Sequence, residues 1–388
     1  MRWVFLSYPA ANFCAVFDSL TCASGSATEV PALLAALRSP DAARRGSARV
    51  ELEHMLARHG AKYDASVAAV PYLVEILGDG SAHGRAEAYE LLALIADNDE
   101  LPRPRSRAAG PTLGELTRQR FAWRLTRAPA DPADRYPWQF DRRSAGAHGW
   151  ERRAYEAVGA GLETYVRLFA DPDPRLRTGA AHLVALHPSP AAVPALAAQL
   201  IVETSPMVAA SLCVAAGQCA DPALLPALAG WRESPHRLAH LAALIGIGQL
   251  TDAPDVHLLT ELAECLVEPD DPTDDWPFHG DPGTGACWAL ETLCPADNPL
   301  LAEILLEQVR NHRPERTYYN LAELLLGTLF PAGPLPDGAP FSGLDAQQRE
   351  FVQLALKFRL LEEDPMPSAF AGCNLPTEEV SLAFWCEL

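Results

Sequence analysis

Two histidines stand at a spacing that can bind a metal ion. His236 and His240 are four residues apart, which places two imidazoles one turn apart on a helix, and imidazole nitrogen is a common ligand of zinc. Metalloproteases with an H-E-x-x-H sequence carry a glutamate directly after the first histidine, and Arg237 occupies that position here. We therefore expect both histidines to be polar residues on the exposed face of a helix and predict no metal site, with a metal-dependent hydrolase as the alternative.

A second candidate for metal chemistry lies in an acidic, proline-rich segment. Asp270, Asp271 and Asp274 form a D-D-x-x-D sequence, which holds Mg²⁺ in prenyl-diphosphate chemistry when a helix presents it. Pro272 lies inside the sequence, and the interior of a helix does not accommodate proline. The segment is therefore expected to be a solvated acidic loop or a docking loop for a basic partner.

Aromatic residues follow this segment and predict a binding surface. Aromatic side chains are enriched at binding hot spots, and the alternative is that some of them fill the core near the C-terminal end. The candidate binding residues in this part of the chain are Trp276, Phe278, His279, Asp281, Trp288 and Tyr319, together with His240.

Sequence signatures of common enzyme classes are missing. The chain contains no G-x-S-x-G sequence, no Walker loop and no G-x-G-x-x-G sequence. We therefore predict no cofactor, and a binding function is favoured over catalysis.

The elements that would position these residues form a repeated pattern. Pro31, Pro71, Pro194 and Pro226 each follow Val or Leu and precede apolar residues spaced three and four apart. Because the first N–H groups of a helix have no partner within the helix, proline is tolerated there. Each segment thus predicts a short amphipathic helix that begins near its proline. The spacing from Pro31 to Pro71 is 40 residues and that from Pro194 to Pro226 is 32, near the period of two-helix repeats.

A second helix is expected after each of these, beyond a polar turn that contains aspartate. Its pattern is Arg-x-x-Ala-x-x-x-Leu, as in Arg45, Ala48 and Leu52, and it recurs from Arg85 and, with Val last, from Arg177. This order resembles the HEAT family of bacterial repeat proteins. The resemblance implies an all-α fold, a right-handed α-solenoid of about seven two-helix HEAT-like repeats whose second helices line a concave binding surface. It says little about activity.

The pattern predicts repeat units near 28–59, 66–97, 159–188, 191–220, 222–252, 256–295 and 298–330. The domains are then an N-terminal segment (1–27), repeats 1–2 (28–97), an Arg-rich insertion (98–155), repeats 3–7 (156–330) and a C-terminal cap (331–388).

The Arg-rich insertion differs in charge from the rest of the chain. Between residues 101 and 153 it holds 12 arginines and 5 carboxylates, a net +7 in a chain of net −19. Long insertions in repeat arrays often lie on the binding face. We expect this one to fold back over an acidic groove, with Arg142 and Arg143 meeting carboxylates and Trp138 packing on a repeat helix. The alternative is a free segment that leaves the groove open.

Two enzymatic groups of HEAT-like proteins fit the residues poorly. DNA glycosylases of this type need a basic groove, and a chain of net −19 has the wrong sign unless the insertion lines that groove. The His-Glu pairs of the di-iron hydroxylases are missing, since Glu53 and His54 stand in the reverse order.

The bulk charge narrows the choice of partners. A pI near 5.0 opposes binding to nucleic acid or anionic membranes and favours a basic protein. Nine cysteines without C-x-x-C spacing predict a reducing, cytoplasmic location, and no apolar run is long enough for a membrane helix. We predict a cytoplasmic protein-binding scaffold, in its most specific form an inhibitor or immunity-type partner of a basic protein. The alternative is an enzyme acting on nucleic acid or a small molecule, with a pocket between the solenoid and residues 98–155.

Overall fold

The computed structural model describes residues 15–58, 61–96, 148–251, 254–267, 282–294, 298–311, 318–331, 333–362 and 366–386. Helices account for most of these residues. In the described ranges the strands form one short antiparallel hairpin, β1 (Thr21–Cys22) and β2 (Gly25–Ser26), with Thr21 opposite Ser26. The prediction of an all-α protein is confirmed.

The chain divides into two compact units, unit 1 (Met1–Ala227) and unit 2 (Leu228–Leu388). The helices of unit 1 are α1 (Val30–Ala36), α2 (Ala42–Leu56), α3 (Asp64–Gly78), α4 (Arg85–Ala96), α5 (His148–Gly159), α6 (Leu162–Arg167), α7 (Pro174–Leu186), α8 (Val193–Val202) and α9 (Pro206–Cys219). Short 3₁₀ turns at Leu168–Ala170, Pro190–Ala192 and Pro222–Leu224 connect several of them, and α10 (Leu225–Arg232) contains the boundary between the units.

Aspartates fix the starts of the second helices. Asp41 accepts a hydrogen bond from the amide of Ala43 at 3.0 Å, and Asp173 accepts one from the amide of Arg175 at 2.9 Å. Each carboxylate satisfies an N–H that has no partner within its helix. These aspartates belong to the polar turns that the sequence pattern predicts.

The prediction that each repeat proline lies in the first turn of its helix is wrong for Pro71. Helix α3 begins at Asp64, so Pro71 lies in its interior. The earlier start is stabilised by Ser66, whose hydroxyl accepts from the amide of Tyr63 at 2.9 Å and donates to the carbonyl of Leu56 at 2.6 Å. Buried packing of the helix outweighs the hydrogen bond that the proline cannot donate.

Small residues allow the second helices of unit 1 to approach closely. Helix α7 packs against both α4 and α9. At Gly179 a Cβ atom would lie 2.7 Å from Cγ of Tyr89, so the ring of Tyr89 occupies the space that any larger residue would need. The hydroxyl of Tyr89 also lies 3.0 Å from Nδ1 of His182, within hydrogen-bond distance. As a result α4 and α7 are neighbours although residues 97–173 separate them in the chain.

Arginines of the second helices connect consecutive helix pairs. Arg45 donates from Nε to Glu87 at 2.8 Å, and Arg177 donates to both carboxylate oxygens of Glu203, at 2.9 and 2.8 Å. Each guanidinium also donates through Nη1 to two carbonyls of the turn before its own helix. One side chain therefore holds its own turn and the next helix pair, which is why arginine suits this position.

Two second helices of unit 1, α7 and α9, are buried along most of their length. In α9 every residue from Val208 to Gln218 is buried, and in α7 every residue from Thr178 to Leu186 is buried. The concave face that we expected the second helices to expose is therefore not formed by these two helices.

Unit 2 continues with further helices, the last of which lie in the segment 331–388. They are α11 (Arg237–Leu250), α12 (Val256–Val267), α13 (Pro282–Leu293), α14 (Pro299–Asn311), α15 (Tyr318–Leu329), α16 (Ala346–Phe358), α17 (Met366–Gly372) and α18 (Glu379–Trp385), with 3₁₀ turns at Phe341–Gly343 and Leu360–Glu362. Helix α12 packs on α13 and α14, and α14 packs on α15 and α16.

The start of α16 and the position of α18 are fixed by hydrogen bonds. Asp345 and Gln348 exchange hydrogen bonds between side chain and backbone, at 2.8 and 3.0 Å, and so form a capping box at the start of α16. The indole Nε1 of Trp385 donates to the carbonyl of Ala339 at 2.9 Å. Within the described part of the chain, no helix has the length and apolarity needed to cross a bilayer.

Candidate partner-binding surface

Most of the residues predicted to bind a partner lie outside the described residues. These are Trp138, Arg142, Arg143, Trp276, Phe278, His279 and Asp281, and the acidic segment Asp270–Asp274 lies outside as well. Trp288 belongs to α13 and Tyr319 to α15, but only their backbone is described. The hypothesis that the insertion folds back over a groove stays a prediction for the same reason.

His240 is described, and its environment corrects the expectation for the two histidines. His236 is the N-cap residue of α11, with φ −89° and ψ 110°, so it lies before the helix and not on its face. His240 is half-buried, and its Nδ1 donates a hydrogen bond to the carbonyl of Arg232 at the end of α10. His240 thus satisfies a helix-terminal carbonyl and closes the turn between α10 and α11. No group of three or more residues suited to hold a metal ion occurs in the described ranges.

Arg232, at the end of α10, lies close to several carboxylates. Its guanidinium donates from two nitrogens to both oxygens of Glu261 in α12. The hydrogen bond that Arg232 donates to Glu261 raises the pKa of Arg232. Burial lowers this pKa, and the charges of Glu261, Asp255 and Glu233 raise it again. One cation therefore faces three carboxylates at this end of unit 2.

A second arginine is shared in the same way between α14 and α16. Arg310 donates to Glu303 at 3.0 Å and to both oxygens of Glu350, at 2.6 and 2.9 Å. The hydrogen bonds that Arg310 donates to Glu350 and Glu303 raise the pKa of Arg310, and those to Glu350 lower the pKa of Glu350. The positive charge of Arg310 is thus balanced by glutamates of unit 2 itself.

Two further glutamates on these helices are exposed. Glu264 in α12 and Glu307 in α14 form no ion pair with any described residue. Because α12 packs on α14 and α14 on α16, these glutamates and the carboxylates around Arg232 and Arg310 belong to neighbouring elements of unit 2. We call this group of carboxylates the acidic face; its members are Glu233, Asp255, Glu261, Glu264, Glu303, Glu307 and Glu350.

The carboxylates of the acidic face are exposed or half-buried, and Glu261, Glu303 and Glu350 among them form ion pairs with Arg232 and Arg310. Such a surface can speed the capture of a basic protein. Sequence reasoning missed it because it expected the binding surface on the second helices and in the aromatic segment 268–281, whereas Glu261, Glu264, Glu303 and Glu307 belong to the first helices of their predicted repeats.

Comparisons with known proteins add no identification. No family model matches the sequence, and no curated protein matches it. A solved structure described as that of an engineered protein covers 92% of this chain and 92% of its own, with 16% sequence identity and a TM-score of 0.32. A TM-score this low supports no argument about fold or function.

Proposed function

We propose that this chain is a protein-binding scaffold, a HEAT-like α-solenoid that captures a basic protein, and that the acidic face of unit 2 makes first contact. The observation that carries the proposal is that Glu264 and Glu307 are exposed without an ion pair among the described residues, while the neighbouring Arg232 and Arg310 are already paired with other glutamates. Inhibition of a basic enzyme or toxin is the most specific form of this function.

Charge placement elsewhere supports the same proposal. In unit 1, Arg45, Arg85 and Arg177 each form an ion pair with a carboxylate of the next helix pair. These three arginines therefore serve contacts between helix pairs, in a chain whose net charge is −19. The field of such a surface steers cationic partners and weakens as salt screens it over about 8 Å at physiological ionic strength.

Binding of a synthetic Arg- and Lys-rich peptide, measured by fluorescence anisotropy, tests the acidic face. We expect Glu264→Lys combined with Glu307→Lys to weaken binding about tenfold or more, because each change replaces attraction by repulsion. The matched control is Glu29→Lys with Glu51→Lys, two exposed glutamates of unit 1 that change the net charge by the same amount. Equal losses in both variants would mean that only net charge matters, and no binding by the wild type would end the proposal.

Capture from native lysate then identifies the partner. The wild-type chain and the Glu264→Lys/Glu307→Lys variant are immobilised in parallel, and bound proteins are identified by mass spectrometry. A basic protein retained by the wild type and by the unit 1 control, but lost from the acidic-face variant, is the expected result.

A further inference from the structure

Helix α8 is apolar on two opposite sides. One side is buried and consists of Val193, Leu196 and Leu200. The other side is exposed and ends in Ile201 and Val202, whose exposed fractions are 75% and 66%. A helix that is apolar all round is normally covered on every side, so the exposed side of α8 requires an explanation.

The polar groups near α8 do not put charge on its exposed side. Gln199 is the single polar side chain of the helix, and its Nε2 donates to Glu203 at 2.9 Å. Glu203 itself is buried, with a side-chain exposure of 1%, and is held by Arg177. The helix therefore presents neither a free charge nor a free amide to solvent.

The uncharged region extends beyond α8. From Thr178 to Trp231 the sequence holds two charged residues, Glu203 and Asp221, in a chain that is 21% charged. Asp221 caps the 3₁₀ turn Pro222–Leu224, which contacts α8, by accepting from the amide of Ala223 at 3.0 Å. We call the resulting surface the apolar face; its exposed residues include Pro190, Pro194, Ala198, Ile201, Val202 and Pro222.

The charge of the chain decides what can cover this face. A protein of net −19 repels its own copies wherever carboxylates of the two copies would meet. The exposed residues of the apolar face are uncharged, so two copies can meet there without placing carboxylates against each other. Helix α8, with ten residues, is also far shorter than the about 20 residues that cross a bilayer. We propose that the apolar face joins two copies of this chain in a two-fold symmetric dimer, with α8 packed antiparallel against the α8 of the second copy.

The size of the face sets the expected strength. A helix of ten residues is about 15 Å long, and a stable interface buries about 800 Å² on each partner. Because α8 and its flanking turns provide less than that, we expect a reversible dimer with a dissociation constant in the micromolar range. Since the contact is apolar, added salt should leave the dimer intact or strengthen it by screening repulsion between the two bodies.

Sedimentation equilibrium of the full chain over a range of concentrations tests the dimer. We expect the wild type to dimerise and Ile201→Glu combined with Val202→Glu to be monomeric at every concentration, because four carboxylates would then meet at the contact. The control is Val380→Glu with Phe384→Glu on α18, where the exposed fractions are 81% and 87%, and this variant should dimerise like the wild type. Circular dichroism verifies that each variant is folded.

Other results would overturn the proposal. A wild type that stays monomeric throughout, an unaffected dimer in the Ile201→Glu/Val202→Glu variant, or equal dissociation in the α18 control would each do so. The milder Ile201→Ala/Val202→Ala variant should raise the dissociation constant about tenfold, and no change would also contradict the contact. Flotation with phosphatidylcholine vesicles tests whether the apolar face binds a membrane instead. If the wild type binds lipid and the Ile201→Glu/Val202→Glu variant does not, the face is a membrane-binding surface and the dimer proposal is wrong.

Discussion

Arg85 of α4 and Asp171 of the turn before α7 form an ion pair although 86 residues separate them in the chain. Arg85 also donates from Nε to the carbonyl of Leu77 at 3.0 Å. Arg45 and Arg177 combine the same two kinds of contact, a carbonyl of the preceding turn and a carboxylate of the next helix pair. The ion pair between Arg85 and Asp171 thus connects a helix that precedes residues 97–147 with a turn that follows them.

Removing either side chain of this pair should destabilise unit 1. Arg85 and Asp171 are mostly buried, with exposed fractions of 13% and 9%, so each of Arg85→Gln and Asp171→Asn leaves a buried group without its charged partner. We expect each to lower the free energy of unfolding by about 2 kcal/mol, and the double variant to lose clearly less than the sum. Urea unfolding measures the cycle, and Arg152→Gln, in an exposed pair with Glu156, should lose less than about 0.5 kcal/mol.

Gly84 is expected to tolerate no side chain. A Cβ atom there would lie 2.0 Å from the carbonyl oxygen of Leu37 and 2.8 Å from its carbon, and a backbone group cannot turn aside. Gly84→Ala should therefore cost about 3 kcal/mol and lower the Tm clearly. At Gly80 a Cβ would meet nothing within 4 Å, so Gly80→Ala should change stability by less than about 0.5 kcal/mol. Equal melting temperatures for the two variants would contradict the close approach of α1 to the start of α4.

Acid should weaken the contact between α7 and the end of α8 through Glu203. Burial opposes the charged form of Glu203, but hydrogen bonds from Arg177, Gln199 and the amides of Ser205 and Thr204 outweigh it and lower the pKa from 4.5 to about 2. A pKa lowered by folding stabilises the protein above pH 4.5, and this stabilisation is lost as pH falls towards 2. Denaturant unfolding between pH 7 and pH 3 should show it, and Glu203→Gln should flatten this part of the profile.

The cysteines should react slowly in the folded protein. Cys213 is fully buried, and burial raises its pKa; burial also raises the pKa of Cys219 and of Cys373 to about 11. Because the thiolate is the reactive form, we expect little modification by an aromatic disulfide reagent at pH 8. Cys219 and Cys373, which are half-buried, should react faster as pH rises, whereas Cys213 should be labelled only in guanidinium. Rapid labelling of Cys213 in buffer would contradict the burial of α9.

The sequence was sufficient to predict the helices whose starts and buried faces are determined by residues close to them in the chain. Asp41 and Asp173 in their turns and the arginines after them define the second helices, because capping and apolar spacing act within a few residues. The same signals misplaced the start of α3, since the hydrogen bonds of Ser66 outweighed the apparent start at Pro71.

Features that depend on contacts between distant residues could not be predicted. Nothing in the sequence around His240 indicates that its imidazole binds the carbonyl of Arg232. The acidic face likewise depends on the packing of α12 on α14, which makes the helices of Glu264 and Glu307 neighbours. The role of Gly84 likewise depends on Leu37, which belongs to another helix pair. Most of the predicted binding residues lie in ranges that the structure does not describe, so their role stays a prediction.

The burial of α9 also determines how unit 1 exchanges its amide hydrogens. From Val208 to Gln218 the helix is surrounded by protein, with Ala209, Ala210, Ala215 and Ala216 fully buried. Deuterium reaches such amides only when the surrounding helices separate, so their protection measures the opening of the whole unit. Helix α1 has exposed residues at Ala32 and Ala35, and we expect its amides to exchange sooner, through local opening. The slowest-exchanging amides of unit 1 should accordingly lie in α9. Their exchange gives the free energy of opening the whole unit, and every local opening of the unit has a lower free energy than this.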